Sequence, residues 1–93
     1  MSDYQLVITM AVEILHLAHG VLGDLREGRE EEAVEKLRAG LTGRMDPLPV
    51  RLAEQTSNLL ASAYGALVSP EPDSRHAEQP LRELVDLYAR YVH

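Results

Sequence analysis

Apolar residues recur at helical spacing in four segments of this chain, and no stretch alternates apolar and polar residues for long enough to predict a β-strand. The pattern predicts helices over about 4–27, 29–42, 47–68 and 80–92, with a polar loop over 69–79. Short connections favour antiparallel neighbours. We therefore expect an all-α fold, a four-helix bundle built from two helical hairpins, as a single domain spanning 1–93.

Capping residues, glycines and prolines set the expected helix ends. Ser2 or Asp3 can cap the first helix, and Gly28 breaks the apolar pattern after it. Further signals are Gly43 after the second helix, Asp46–Pro47 before the third, Pro70 and Pro72 in the loop, and Pro80 opening the fourth. The third helix also carries a row of small residues, at Ala53, Ser57, Ala61 and Gly65. Such a row favours close approach of a neighbouring backbone.

The first helix has an unusually wide apolar surface. With successive residues about 100° apart, its polar positions gather in one stripe: Gln5, Thr9, Glu13, His16, Gly20, Gly23, Asp24 and Glu27. The rest of the circumference is apolar and only His19 interrupts it. An ordinary surface helix needs an apolar stripe little wider than about 100°. This helix therefore has more apolar surface than one position in a bundle covers.

The excess apolar surface predicts contact with another chain. Leaving four large apolar side chains in water would cost roughly 6–12 kcal/mol, against a net stability of about 5–15 kcal/mol for a whole domain. A second copy is the simplest partner because two-fold homodimers are the commonest oligomers. Two arrangements stay open beside it: the other three helices enclose the first, or a different protein covers it. The predicted interface residues are Val7, Ile8, Ala11, Leu15, Ala18 and Leu22.

Charge and composition narrow the classes of partner. The formal net charge is -6 and the pI about 5.1, whereas a nucleic-acid binder needs a basic surface. We expect no nucleic-acid partner and no membrane, and we regard a basic or apolar groove on another protein as compatible. The apolar stretch follows no basic leader and is interrupted by polar residues, so we expect a cytoplasmic protein. The chain has no cysteine, which excludes thiolate chemistry.

One pair of residues has the spacing of a metal-binding motif. Glu13 and His16 stand three residues apart, as in the Glu-x-x-His elements of di-metal helical bundles. A complete site of that kind needs two such elements and two further glutamates, and Asp73 to His76 matches only in spacing. We therefore predict no metal or cofactor, with Glu13 and His16 as the only candidates. Because no nucleophile or phosphate-binding signature is present either, we expect no enzyme activity.

Residues 28–41, GREEEAVEKLRAGL, resemble the turn and second helix of a tetratricopeptide repeat, in which a glycine, acidic residues and an alanine open the helix. Gly40 stands where the repeat usually has alanine, the expected proline is displaced to Pro47, and no second copy follows. We do not assign the chain to that family. The resemblance favours a tight antiparallel turn at Gly28 over one continuous helix.

Three functional hypotheses follow. The leading one is a non-enzymatic helical module for protein–protein interaction or regulation that associates with itself. The second, from a different class, is a small metal-binding helical protein using Glu13 and His16. The third is a phage or mobile-element inhibitor whose acidic run, from Asp24 to Glu35, imitates a phosphate backbone.

Overall fold

The computed structural model describes residues 3–43 and 48–90, with side chains from residue 5 onward in the first range. These residues form four helices and no strand: α1 Asp3–Arg26, α2 Glu30–Thr42, α3 Val50–Val68 and α4 Ser74–Ala89. Both α2 and α4 pack against α1, and both also pack against α3. The helices therefore follow one another around a bundle, and the predicted all-α four-helix bundle is confirmed.

The turn between α1 and α2 is a glycine-dependent helix end. Gly28 has a φ of 77°, a left-handed conformation that side chains with a Cβ disfavour. The Arg29 amide donates to the Asp24 carbonyl at 2.7 Å, and the Gly28 amide donates to the Leu25 carbonyl at 3.3 Å. This pair of bonds is the Schellman arrangement that closes a helix. The two helices are therefore separate, as the glycine and the hairpin resemblance predict.

Each helix contributes a stripe of buried residues to one core. The α1 stripe includes Ala18 and Val21, and the α2 stripe contains Ala33 and Leu37. The remaining helices supply the following buried residues: Leu52, Leu60, Ala63 and Leu67 from α3, and Ala77, Leu81, Leu84 and Tyr88 from α4. With no Phe or Trp available, leucines and alanines fill most of the interior.

The third helix begins later than its sequence pattern predicts. Its first helical residue is Val50, and Leu48 and Pro49 before it are not helical. A residue that precedes proline is pushed out of the helical region, so Pro49 prevents Leu48 from joining the helix. The predicted cap and first residue, Asp46 and Pro47, lie outside the described residues, as do the predicted cap Ser2 and the predicted end of the fourth helix at 92.

The fourth helix begins six residues earlier than predicted. The predicted loop over 69–79 is wrong from Ser74 onward, because the Asp73 carboxylate accepts a hydrogen bond from the His76 amide at 3.1 Å and caps the helix. Pro80 lies inside α4 and is buried. It has no N–H to bond to the carbonyl one turn earlier, and the helix continues through it.

Candidate protein interaction surfaces

The structure divides the six predicted interface residues of α1 into two groups. Ala11 and Ala18 are fully buried and Leu22 is 8% exposed, so these three belong to the core of a single chain. Val7, Ile8 and Leu15 are half-buried. Of the six predicted interface residues, only Val7, Ile8 and Leu15 are therefore still accessible to another chain.

A strip of three large apolar residues lies on the accessible side of that first half. Ile8, Val12 and Leu15 follow each other at intervals of four and three residues, which places them on one helix face. All three are half-buried, and within the described part of the chain only Leu15 of the three packs against the buried core. We call these three residues the α1 strip. The predicted interface omitted Val12, although the helical spacing already placed this residue on the apolar part of the circumference of α1.

Helix α2 does not cover the α1 strip, because it packs on the opposite side of α1, where Leu17 stands about 140–180° around the helix from the strip residues. A Cβ added at Gly40 of α2 would lie 2.6 Å from Cδ2 of Leu17, so the two helices are in close contact there. Helix α2 ends two residues later, at Thr42. At about 1.5 Å per residue this adds only about 3 Å of helix. The turns of α1 before Ile14 therefore have no α2 residue beside them.

Helix α4 packs on the side of α1 that carries the α1 strip, because His19, which lines the groove between the two helices, stands one turn after Leu15. A groove between α1 and α4 is lined by His19, Leu22, Gly23, Arg26, Arg82, Val85 and Asp86. The two helices run antiparallel, and α4 ends at Ala89, three residues after Asp86. Helices α2 and α4 start side by side, since Ser74 bonds Glu30, and α4 has 16 residues against 13 in α2, so α4 continues past the level at which α2 ends. The α1 strip therefore lies beside and beyond the last turn of α4, which leaves its three residues half-buried.

Two other large apolar side chains are exposed at the same end of the bundle. Leu6 of α1 is 49% exposed and Val50 at the start of α3 is 74% exposed. Because α1 and α3 run parallel in this bundle, their first residues lie at one end. Single exposed apolar residues are common, and Leu6 stands two residues before Ile8, which places it on the side of α1 away from the strip.

The first helix also has the length and composition of a membrane span. The segment Gln5–Arg26 contains an 18-residue window with a mean hydropathy of 1.7, and 28% of that window is buried in the fold. Core helices of bundles and signal sequences have the same composition. The test of any surface on α1 must therefore include a lipid surface.

The metal-ligand candidates lie on the outer side of α1. Glu13 and His16 are both exposed. Across residues 3–43 and 48–90, no group of three or more His, Asp or Glu side chains is placed to hold a metal ion. Asp73 and His76, whose spacing resembles a second element, instead form the capping bond of α4.

Asp24 is the principal polar residue that the sequence interpretation misplaced. The helical spacing placed Asp24 in the polar stripe of α1, yet Asp24 is only 1% exposed. Its Oδ1 accepts from Nε and Nη2 of Arg29, at 3.1 and 2.9 Å, and its Oδ2 accepts from Nζ of Lys36 at 2.7 Å. The bond from Lys36 is the main cause that holds the pKa of Asp24 below its ordinary value, with a further contribution from Arg29.

The glutamates of the acidic run are partly neutralised within the chain. Arg29 also contacts Glu27 and Glu32, and Arg38 bonds Glu35 at 3.0 Å. Glu30 accepts a hydrogen bond from Ser74 at 3.1 Å, which links the starts of α2 and α4. The run therefore acts largely as an internal network at the helix junction, a role that the sequence suggests by its interspersed arginine and lysine.

Comparison of the chain with protein-family models, with curated proteins and with solved structures gives no match.

Proposed function

We propose that this protein is a non-enzymatic helical module that associates with a second copy of itself through the α1 strip. The observation that carries the proposal is the half-buried apolar face of α1 beside and beyond the last turn of α4, formed by Ile8, Val12 and Leu15. We also propose that this module regulates a further protein and that it is cytoplasmic.

A two-fold axis near Val12 pairs the strip with itself. Two antiparallel copies of α1 related by such an axis bring Ile8 of one chain opposite Leu15 of the other, and Val12 opposite its own copy. This is the self-complementary pairing that a two-fold dimer requires. The paired residues are few, so we expect a weak dimer with a dissociation constant on the order of micromolar.

The test is sedimentation equilibrium of the wild-type chain and of the double variant Ile8→Glu with Val12→Glu. We expect a monomer–dimer equilibrium for the wild-type chain and a monomer for the variant, because two charges at the centre of the interface oppose association. The variant should keep its helicity in circular dichroism, since neither residue packs against the buried core in the described structure. Leu22 is unsuitable for this test because it is part of that core.

The matched control is Leu6→Glu with Thr9→Glu, which adds two negative charges to the same turns of α1 at exposed positions on the side away from the strip. It should dimerise like the wild-type chain. A wild-type chain that stays monomeric up to millimolar concentration would contradict the proposal. Flotation of the wild-type chain with phosphatidylcholine–phosphatidylglycerol vesicles, lost in the strip variant, would show that lipid rather than a second copy covers the strip.

A further inference from the structure

The groove between α1 and α4 has one continuous helix face as each of its walls. Residues 19, 22, 23 and 26 form the α1 wall, and residues 82, 85 and 86 form the α4 wall. Both sets are spaced by three and four residues, which places each set on one side of its helix. The groove therefore runs along the two helices as a channel in which a further helix can lie.

The floor of this groove is apolar, and one position in it has no side chain. Leu22 is almost buried and Val85 is half-buried. Gly23 stands between the two ends of the α1 wall, and a Cβ added to it would meet no atom within 4 Å. The backbone of α1 is therefore bare in the middle of the groove, so a partner helix can pack closely against it.

The rim of the groove is cationic, although the chain as a whole is acidic. Arg26 and Arg82 line the groove together with His19, and Asp86 is the one acidic residue in its described lining. The whole chain has 15 acidic and 9 basic residues and a formal net charge of -6. The groove therefore has a charge of opposite sign to that of the chain, and it complements an acidic partner.

Neither arginine of the groove is held by a close carboxylate. Arg26 is exposed and forms no ion pair with any residue in the ranges 3–43 and 48–90. Arg82 is 64% exposed and contacts Glu78, one turn earlier on α4, at 3.6 Å. Exposed pairs of this kind contribute little. Both guanidinium groups therefore stay available to carboxylates of another molecule.

We propose that the groove between α1 and α4 binds an amphipathic helix of another protein, with an apolar face and a row of acidic residues beside it. The apolar side chains pack on Leu22 and Val85, and the two backbones approach each other at Gly23. The acidic residues pair with Arg26 and Arg82.

The charges of the groove also fix the direction of the partner helix. Arg26 is the last lining residue of α1, and Arg82 is the first lining residue of α4. Because the two helices run antiparallel, both arginines lie at one end of the groove, and Asp86 lies nearer the other end. The partner's carboxylates therefore concentrate at the arginine end.

This partner is the further protein of the proposed function, so the inference rests on that part of it but not on the dimer. Binding needs only a one-to-one complex, which a monomeric chain also forms. A wild-type chain that stays monomeric would contradict association through the α1 strip and leave the groove untouched. The two proposals therefore fail separately.

The probe is a synthetic peptide of about 18 residues, long enough to form a helix, with a leucine face, one row of glutamates beside it and alanine elsewhere. Its counterpart has glutamines in place of the glutamates. In ¹⁵N–¹H titrations we expect saturable one-to-one binding of the glutamate peptide, weakened by salt, with shifts centred on Leu22, Gly23 and Val85. The glutamine peptide should bind more weakly.

Filling the bare position of α1 tests the groove directly. Gly23→Gln puts a side chain into the open space of the groove and should weaken peptide binding about tenfold or more, because the peptide backbone can no longer approach. The matched control is Gly65→Gln, at an exposed glycine of α3 where an added Cβ also meets no atom within 4 Å. Both changes raise helix propensity, so both variants should fold, and the control should bind normally.

Removing the arginine charges tests the electrostatic part of the proposal. Arg26→Gln with Arg82→Gln should weaken binding of the glutamate peptide roughly twofold to tenfold and remove most of its salt dependence, while binding of the glutamine peptide stays the same. Arg38→Gln with Arg51→Gln removes the same charge from exposed positions on α2 and α3. This second pair should leave binding of both peptides unchanged.

Four results would overturn the proposal. Equal binding to Gly23→Gln and Gly65→Gln would show that the peptide does not use the groove. Equal binding of the two peptides would remove the charge argument. Amide shifts confined to Ile8 and Val12 would place the peptide on the α1 strip. Weaker self-association of Gly23→Gln than of the wild-type chain in sedimentation equilibrium would make a second copy the occupant of the groove.

Discussion

Asp24 couples the first two helices through charge rather than through apolar packing. It is the only buried carboxylate among residues 5–43 and 48–90, and both cations that bond it are nearly half exposed. A buried carboxylate is tolerated only when its oxygens have partners, and here each oxygen has one. The position of α2 against α1 is therefore fixed by Arg29 and Lys36 as well as by the Gly28 turn.

The lowered pKa of Asp24 predicts an acid-sensitive contribution to stability. The folded chain holds this carboxylate ionised below the ordinary value of 3.8, so its contribution is present above that pH and is lost as pH falls through the folded value. Asp24→Asn should lower the melting temperature at pH 7, and its difference from the wild-type chain should shrink below about pH 4. Thermal melts by circular dichroism at several pH values measure this.

The control for that experiment is Glu54→Gln, which removes an exposed carboxylate from α3. It should melt close to the wild-type temperature at every pH. A melting temperature for Asp24→Asn equal to that of the wild-type chain at pH 7 would mean that the contacts from Arg29 and Lys36 add nothing to the folded state.

Of α2, α3 and α4, only α4 begins with a side chain that caps it. The Asp73 carboxylate bonds the His76 amide and Ala77 bonds the Asp73 carbonyl, so the first turn is closed around Asp73. Asp73→Ala should cost about 0.5–2 kcal/mol in free energy of unfolding. Hydrogen exchange should quicken first over residues 74–79, where Pro80 leaves a carbonyl without its helical bond.

Glu71→Ala serves as the matched control, because Glu71 is exposed in the connection before Asp73 and is not helical. Urea denaturation curves give the free energies of both variants. A loss of stability in Asp73→Ala no larger than in Glu71→Ala would show that the cap does not determine where α4 begins.

The sequence predicted most of the helices because their apolar spacing and glycine stops act locally. The ends of α1 and α2 at Gly28 and Gly43 agree with the structure for this reason. The predicted start of α4 was wrong because proline is a good first helical residue. This made Pro80 the expected start, instead of Ser74 after the capping residue Asp73. The burial of Asp24 was not predicted, because helical spacing shows on which side of α1 the residue lies but not that Lys36 of the next helix bonds it there.

The candidate surfaces were predictable only in part, because they depend on relative helix lengths. The helical spacing predicted that α1 has more apolar surface than one position in a bundle covers, and Ile8 and Leu15 are only half-buried. It did not predict that Ala11, Ala18 and Leu22 would be buried by the chain itself, which follows from packing along the second half of α1.

At the scale of the whole molecule, the described chain is elongated, with extents of 45 × 21 × 18 Å. Helix α1 has 24 residues and is about 36 Å long at about 1.5 Å per residue. Helices α2 and α4 have 13 and 16 residues. Helix α2 therefore packs only along the second half of α1, and the bundle is narrower around the first half, where the α1 strip is half-buried.

This shape predicts that the stability of the wild-type chain depends on its concentration. Association through the α1 strip stabilises the folded chain by mass action, because unfolded chains have no strip to pair. Raising the concentration from about 10 µM to about 1 mM should add about 1 kcal/mol per chain and raise the melting temperature by about 4–8 °C. The double variant Ile8→Glu with Val12→Glu should melt at one temperature throughout, whereas Leu6→Glu with Thr9→Glu should follow the wild-type chain. Differential scanning calorimetry at matched concentrations measures all three, and a wild-type melting temperature that does not change with concentration would show that the narrow end of the bundle is stable without a partner.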